Sequence, residues 1–295
     1  MNKVRGSQTY ILIPTHNRSD ILCSTLAQIR AQLTEERTRV VVVDAGSTDG
    51  TRAKVLAKYP SVDLVDGHAD MWWTATVNYG LKYIMKEACS GDHVLLMNDD
   101  IDLSHDTLIR LLEASIAEPK AIIGAVNLIQ RSGELPKMYF CGGQYDLIFA
   151  RHKANIPAGK PWVFPVSRFM ETDYLFGRLL NIPVDAFELG CSFDDETFPQ
   201  YCADEDFTYG AKLRGVKTLV DTKSVVYVNE TTTAHFSLSF FKSGVRGVYN
   251  ALTAFNSYYN WRQSWAFACR YARWPLIFFL CRYAIQFIND NVRRR

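Results

Sequence analysis

Three polar segments each follow a short apolar run, and their side chains could hold a nucleotide and a cation. They are Pro14-Thr15-His16-Asn17-Arg18, the segment from Asp44 to Gly50, and the segment from Asn98 to Asp102. Carboxylate, amide and hydroxyl oxygens can coordinate a hard cation or accept hydrogen bonds from a base and a ribose. Glycines in the second segment permit a tight turn and close approach of a ligand.

The elements that position these segments follow from the apolar pattern between residues 10 and 125. Short β-branched runs alternate with longer amphipathic ones, which predicts a mostly parallel sheet flanked by helices. Ligands of such sheets bind beyond the carboxyl ends of the strands, where the polar segments lie. The predicted strands are Tyr10–Pro14, Val40–Asp44, Val62–Val65, His93–Met97 and Ala121–Ala125, and the predicted helices are 19–33, 49–59, 74–88 and 104–117.

The second half of the chain is less regular. Glycine and proline content predicts long loops within 126–190, followed by a strand or helix from Tyr174 and a short helix near 184–189. A helix over 207–213 and strands at 217–220 and 225–228 come next. We expect an α/β domain over 1–235, with halves 1–125 and 126–235, and a helical basic and aromatic region over 236–295.

Composition excludes several classes of protein. A chain with 48% apolar and 22% charged residues is not expected to be disordered. The apolar stretch from Trp274 to Cys281 is too short to span a membrane, and the N-terminus lacks a secretory pattern, so we expect a cytoplasmic protein. Seven dispersed cysteines without a C-x-x-C pair are expected to be reduced.

Several motifs together resemble one enzyme family. They are Pro14 to Arg18, Asp44-Ala45-Gly46-Ser47, Trp72 to Gly80, Asn98-Asp99-Asp100, Phe198 to Phe207, and Tyr258 to Arg262. In this combination the sequence resembles the family 2 glycosyltransferases, whose GT-A fold binds nucleotide sugars. The likeness is greatest to bacterial rhamnosyl- and galactosyltransferase-like members that build surface polysaccharides.

The resemblance implies roles for the polar segments. Asp44 would accept a hydrogen bond from the nucleotide base, with Pro14, Thr15 and Asn17 in the same donor pocket. A carboxylate suits a pyrimidine that presents an N–H group, which favours a UDP or dTDP donor. Asn98-Asp99-Asp100 matches the family's metal motif, so Asp100 would bind Mg²⁺ or Mn²⁺ and Asp99 would contact the ribose or the ion's water shell. Without that context, adjacent aspartates would be read as a helix cap.

The catalytic base is assigned by the same resemblance. Asp204 precedes the helix-ending Gly215 by eleven residues, as the family's base does. Asp206 is the alternative base if the register slips by two residues, and a solvated helix N-terminus is the simplest structural reading of the three acids. Two departures weaken the match: Gly210 stands where the family has an arginine, and Val228 where many relatives have a metal-binding histidine. Lys212 or Arg214 could replace the arginine, and His235 is the candidate for the histidine.

Aromatic residues suggest contacts with a sugar and with a surface. Trp73 could stack on a base or sugar, although two adjacent core tryptophans are an equal reading, and Asn78 could hydrogen-bond the donor sugar. Residues 261–295 hold seven arginines and one aspartate. Such a segment fits a helix lying on an anionic membrane and split near Pro275, or a hairpin packed on the catalytic domain or on a second subunit.

These observations favour an inverting, metal-dependent glycosyltransferase that acts on a saccharide acceptor, of which a lipid-linked one would fit. A nucleotidyltransferase and a catalytically degenerate binding subunit remain alternatives. No nucleic-acid-binding module is recognised. The donor sugar, the linkage and the oligomeric state are not determined by the sequence.

Overall fold

A computed structural model describes residues 7–33, 37–147, 151–165, 167–228, 244–254, 257 and 259–292. His235 and Tyr258 lie outside these ranges. The strands are β1 Thr9–Thr15, β2 Thr38–Asp44, β3 Asp63–Asp66, β4 His93–Met97, β5 Ile101–Leu103, β6 Ile122–Ile129, β7 Lys137–Phe140, β8 Gly143–Asp146, β9 Arg151–Ala154, β10 Phe169–Glu171, β11 Leu179–Pro183 and β12 Thr218–Val228. The helices are α1 Ser19–Gln32, α2 Thr51–Lys58, α3 Trp73–Ile84, α4 Thr107–Ala117, α5 Asp185–Glu188, α6 Ala203–Leu213, α7 Gly244–Thr253, α8 Trp261–Tyr271 and α9 Pro275–Val292.

Most of the described strands form one large sheet, in which they follow the order β10-β12-β6-β11-β4-β1-β2-β3. Strands β3, β2, β1 and β4 run parallel, as do β6 and β12. Strand β11 lies antiparallel between β4 and β6 and joins the two parallel groups. The expected mostly parallel central sheet flanked by helices is confirmed, and β11 is the antiparallel insertion that the periodicity did not predict.

Alternating side chains of the central strands bury both faces of the sheet. Ile11 and Ile13 of β1 face α1 and α4, whereas Tyr10 and Leu12 face α3. Burial on both faces explains why these strands read as continuous apolar runs rather than as alternating ones. The carboxyl ends of β1, β2 and β4 therefore lie side by side at one edge of a rigid core.

The less regular second half contains more strand structure than expected. Within 126–190, where we expected long loops, the chain forms β7, the β8–β9 hairpin, β10 and β11. The two predicted strands near 217–228 are one strand, β12, whose pairing with β6 shifts register between Asp221 and Val225. That irregularity accounts for the gap in the apolar pattern.

The C-terminal helices α8 and α9 pack on the α/β core. Phe267 of α8 and Phe278 of α9 are fully buried in the same cluster as Phe207 of α6. The helical structure is interrupted between Tyr271, where α8 ends, and Pro275, where α9 begins, as expected from the proline. Among the described residues, no helix combines the length and hydropathy that crossing a bilayer requires. The seven cysteines all lie in the described ranges and none forms a disulfide.

Candidate active site

The first two strand ends are tied together by Asn17. Its backbone lies in the left-handed region, with φ of 52°, which asparagine tolerates better than most residues. The Asn17 N–H donates to Ser47 Oγ at 2.7 Å, and its Oδ1 accepts from the Thr48 N–H at 2.7 Å. Asn17 therefore holds the loop after β1 against the turn after β2.

Asp44 ends β2 and is buried beside the end of β1. It pairs in register with Thr15, and Pro14 precedes Thr15 in the same buried strand. Asp44 Oδ1 accepts a hydrogen bond from the Ser47 N–H at 2.9 Å. No residue in the described ranges hydrogen-bonds its Oδ2. This oxygen can therefore accept a bond from a ligand, as the predicted contact with a base requires.

In the predicted metal motif, two carboxylates form ion pairs with the guanidinium group of Arg18. Arg18 Nη1 lies 2.9 Å from Asp99 Oδ1 and 3.0 Å from Asp100 Oδ2. Asp99 is buried and accepts a second bond from Thr15 Oγ1 at 2.7 Å. Burial raises the pKa of Asp99, although Arg18 and Thr15 favour its ionised form. Asp100 is the more accessible of the two carboxylates.

These donors fit Mg²⁺ or Mn²⁺ bound together with a substrate phosphate. Among the described residues, no three histidine, cysteine or acidic side chains form a complete ion site. One or two carboxylates completed by phosphate oxygens and water are what Mg²⁺ usually takes. The guanidinium between Asp99 and Asp100 shows that this position attracts positive charge. His235, the third predicted ligand, lies outside the described residues.

Trp73 connects the metal motif with the second half of the site. Its Nε1–H donates to Asn98 Oδ1 at 3.0 Å, and its ring packs on Gly177. A Cβ at Gly177 would lie 2.8 Å from the Trp73 ring, so any larger residue there would force the ring to shift. Trp72 is 41% exposed, so the reading of both tryptophans as core residues is wrong. Stacking of Trp73 on a base or sugar stays a prediction.

Asp204 lies on the other side of Gly177, in the first turn of α6. The Gly177 N–H donates to Asp204 Oδ2 at 2.7 Å, and the Glu205 N–H donates to Oδ1 at 3.0 Å. Burial raises the pKa of Asp204 to about 6, with a further increase from the Glu205 charge. A carboxylate with this pKa can accept a proton near neutral pH and still be ionised there.

Asp206 is bound on the opposite side of α6 by the C-terminal hairpin. Arg270 Nη1 lies 2.8 Å from both of its carboxylate oxygens, and the Tyr271 hydroxyl donates to Oδ1 at 2.8 Å. Arg270 also donates to Asp194 at 2.6 Å. Asp206 is therefore engaged in a buried ion pair, and the solvated helix N-terminus considered from the sequence is wrong for this side chain.

Whether the basic contact absent at Gly210 is missing or supplied by Lys212 or Arg214 stays a prediction. Lys212 pairs with Asp173, and Arg214 Nη1 donates to the Gly210 carbonyl at 3.0 Å. A Cβ at Gly210 would lie 3.3 Å from the Tyr271 hydroxyl, which occupies the space beside the helix. From outside the helix, Arg270 binds Asp206 of α6. The sequence placed Arg270 only among the basic residues of the C-terminal region.

Asn78 faces the loop before α6. Its Nδ2 donates to the Phe193 carbonyl at 3.0 Å and to Asp195 Oδ1 at 3.1 Å. Both amide hydrogens are therefore engaged, and the contact with a donor sugar stays a prediction. Gly177 and Arg178 were missed because no motif marks them. The only signal was a glycine directly before a buried run, which indicates close backbone approach.

Comparison with known proteins identifies related sequences and folds. The family model described as "Glycosyl transferase family 2" matches residues 10–165. A search of curated proteins finds no match. The chain is similar in fold to three solved structures, each under 25% identical, so the likeness concerns the fold alone.

The crystal structure of GalNAc-T7 with UDP, GalNAc and Mn²⁺ matches with a TM-score of 0.58 and 13% identity, over 77% of this chain and 44% of that chain. The mannosyltransferase PcManGT from Pyrobaculum calidifontis, in complex with GDP-Man and Mn²⁺, gives 0.58 and 16%, over 95% and 69%. Residues 1–349 of S. aureus TarS give 0.53 and 16%, over 88% and 69%. The chain thus spans less than half of the first of these proteins. The expected GT-A fold is confirmed.

Proposed function

The chain belongs to glycosyl transferase family 2, and from that premise we propose that it is an inverting, metal-dependent glycosyltransferase. It transfers a sugar from a nucleoside-diphosphate donor to a hydroxyl group of a saccharide. The observation that carries this proposal is the contact chain from Asn98 through Trp73 and Gly177 to Asp204. It joins a carboxylate of raised pKa to the end of the strand that bears the metal motif.

Asp204 is the general base in this proposal. Its carboxylate takes the proton of the acceptor hydroxyl as that oxygen attacks the anomeric carbon. The new carbon–oxygen bond forms on the face opposite the nucleotide, and the bond to the diphosphate breaks with its electron pair leaving on the diphosphate oxygen. The configuration of the anomeric carbon is therefore inverted. Asp206 is unsuited to this role because Arg270 and Tyr271 bind its carboxylate.

The residues at the ends of β1, β2 and β4 bind the donor. Asp44 accepts a hydrogen bond from the base, with Pro14, Thr15 and Asn17 forming the adjacent wall. A carboxylate here favours a pyrimidine donor, UDP or dTDP. Asp100 is the metal ligand, and Asp99 contacts the ribose or the water shell of the ion. A divalent cation bound there would neutralise the charge of the departing diphosphate.

Two variants test these assignments separately. Nucleotide binding is measured by calorimetry with UDP, dTDP, GDP and CDP, each with and without Mn²⁺, and transfer is measured with the matching nucleotide sugars. Asp204→Asn should keep nucleotide binding and lose transfer, because only the proton acceptor is removed. Asp100→Ala should lose the Mn²⁺-dependent part of binding. The control is Asp20→Asn, an aspartate of α1 whose side chain is 90% exposed and pairs with Lys54, which should leave both unchanged.

The outcomes separate the competing functions. Near-normal transfer by Asp204→Asn would refute the base assignment. Release of pyrophosphate from a nucleoside triphosphate would indicate a nucleotidyltransferase instead. A wild-type protein that binds a nucleotide sugar but neither transfers nor hydrolyses it would indicate a degenerate binding subunit.

The proposed setting is the cytoplasmic face of a bacterial membrane, where the enzyme would extend a lipid-linked surface polysaccharide. The outer face of the C-terminal hairpin supports this. Leu276, Ile277 and Leu280 recur on one face of α9 and are 51–60% exposed, opposite the buried Phe278. Trp265 of α8 contacts Phe279 beside them. Arg262 of α8 and Arg273, in the connection between the two helices, are exposed, and exposed arginines near an apolar face are typical of helices that lie on anionic lipid.

Vesicle sedimentation tests this placement. Wild-type protein should sediment with phosphatidylglycerol vesicles more than with phosphatidylcholine vesicles, and Leu276→Glu should abolish the difference. Ile116→Glu is the control, because Ile116 is 80% exposed on α4, away from the hairpin. No sedimentation, together with a wild-type dimer that Leu276→Glu dissociates, would show that this face binds a second copy of the chain.

A further inference from the structure

We propose that Arg178 is an anion-binding residue of this site and that it binds a phosphate or carboxylate group of a substrate. This inference rests on the proposed function. Arg178 directly precedes β11. Its carbonyl accepts a hydrogen bond from the Asn98 N–H at 3.0 Å. The preceding residue, Gly177, donates its N–H to Asp204. Arg178 therefore lies between the metal motif and the proposed base.

Aromatic rings hold the guanidinium group of Arg178 by its flat faces. The central carbon lies 4.7 Å from the ring centre of Tyr139 and 5.9 Å from that of Phe176. Phe176 is itself stacked on Phe140, with ring centres 3.8 Å apart. These contacts with two rings restrict the position of the guanidinium group. Within the described ranges its guanidinium donates one side-chain hydrogen bond, to the Tyr139 hydroxyl, which is long at 3.4 Å.

Arg178 has no carboxylate within ion-pair distance among the residues that the structure describes. By contrast, Arg18 pairs with Asp99 and Asp100, and Arg270 with Asp194 and Asp206. Arg178 is half-buried, so water does not fully solvate its charge. Its field reaches the proposed base, because it lowers the pKa of Asp204 against the effect of burial.

A half-buried guanidinium that contacts two aromatic rings and forms no ion pair within the described residues is suited to bind an anion. Its planar arrangement of N–H donors matches the oxygens of a phosphate or carboxylate, and both partners being charged strengthens the hydrogen bonds. In this site, the anion has two possible sources with the same chemistry. One is the diphosphate of the donor, and the other is an anionic group on the acceptor saccharide.

Binding measurements with Arg178→Gln test the proposal and separate the two sources. The first arm titrates UDP, dTDP, GDP and CDP with Mn²⁺ into the full chain. The second arm titrates glycerol 3-phosphate, with glycerol as the neutral control, into protein saturated with the nucleotide that binds, or into the protein alone if none does. Arg30→Gln is the matched control variant, because Arg30 is an exposed arginine in the last turn of α1 whose guanidinium lies 5.4 Å from the centre of the Tyr59 ring.

We expect Arg178→Gln to weaken the binding of one of these ligands at least tenfold and Arg30→Gln to change neither affinity by more than about twofold. Arg178→Lys should recover part of the affinity, because it keeps the charge and loses the planar donor set. A loss in the first arm identifies the donor diphosphate, and a loss confined to the second arm identifies an anionic acceptor.

Unchanged affinity of Arg178→Gln in both arms would overturn the inference, as would a wild-type protein that binds neither class of ligand. The proposed function is tested separately by transfer. A wild-type protein that binds phosphate ligands through Arg178 but transfers no sugar would retain the anion site and refute the transferase. The thermal unfolding temperature of each variant is also measured. If it equals that of the wild type, a loss of affinity reflects a change in the site rather than misfolding.

Discussion

Replacing Arg270 with methionine should destabilise the folded protein by about 2 kcal/mol. Arg270 binds both carboxylate oxygens of Asp206 at 2.8 Å and Asp194 at 2.6 Å. The Asp206 side chain is 5% exposed, whereas that of Arg270 is 37% exposed. Breaking a fully buried pair costs roughly 3–5 kcal/mol, and an exposed pair contributes about 0–1 kcal/mol. The intermediate exposure and the remaining Tyr271 hydrogen bond place this loss between those limits.

The same variant should become more sensitive to pH. Burial already raises the pKa of Asp206, and removal of the cation would raise it further. An acid whose pKa is higher in the folded than in the unfolded state binds more protons when folded. The resulting destabilisation is absent below the unfolded pKa and grows as the pH rises toward the folded pKa. The stability deficit of Arg270→Met should therefore be smaller at pH 5 than at pH 8.

Urea unfolding followed by tryptophan fluorescence measures both effects. Arg262→Met is the control, because Arg262 is exposed on the same helix and stacks on Trp261. The double variant Asp206→Asn with Arg270→Met should recover most of the loss, because it leaves no buried charge. A deficit within about 0.5 kcal/mol of the control at both pH values would refute the reasoning.

Two further predictions concern Asp204 of α6, the proposed base, and Gly177, which contacts it. The profile of kcat/KM against pH should have an acidic limb with an apparent pKa near 6, falling tenfold per pH unit below it, because Asp204 must be ionised to accept a proton; a flat profile between pH 5 and 7 would contradict this. Gly177→Ala should lower kcat at least tenfold with little loss of stability, because its Cβ would displace the Trp73 ring. Wild-type kcat would show that this contact does not position the site.

The fold of residues 10–125 could be predicted well because each strand and helix there has a clear local pattern of apolar residues. The runs that became β1, β2 and β4 are buried on both faces, so their apolar character is uninterrupted. Parallel strands bring their carboxyl ends to one edge, so the chain positions of Thr15, Asp44 and Asp99 were enough to place them together. The Thr15–Asp99 hydrogen bond is the direct result.

Strand β11 was harder to predict because its stability comes from residues distant in the chain. It contains the polar Asn181 at a fully buried position and ends in Pro183, and neither is typical of a central strand. Asn181 is accommodated by a hydrogen bond with the buried His93 at 2.9 Å. Pro183 lies at the end of the pairing with β4. Without those partners the segment could be read as a strand or a helix, and Gly177 and Arg178 could not be placed.

The C-terminal arginines show why net charge alone misjudges a surface. The sequence assigned +6 to residues 261–295, but Arg270 is paired with Asp194 and Asp206, and Arg282 is buried against Cys202. Each remaining arginine near anionic lipid contributes about 1 kcal/mol, whereas full burial of one leucine contributes about 1.5–3 kcal/mol. The proposed membrane contact should therefore depend more on the apolar face of α9 than on charge. Leu276→Glu should weaken vesicle binding more than Arg273→Ala, and the reverse order would indicate electrostatic attachment.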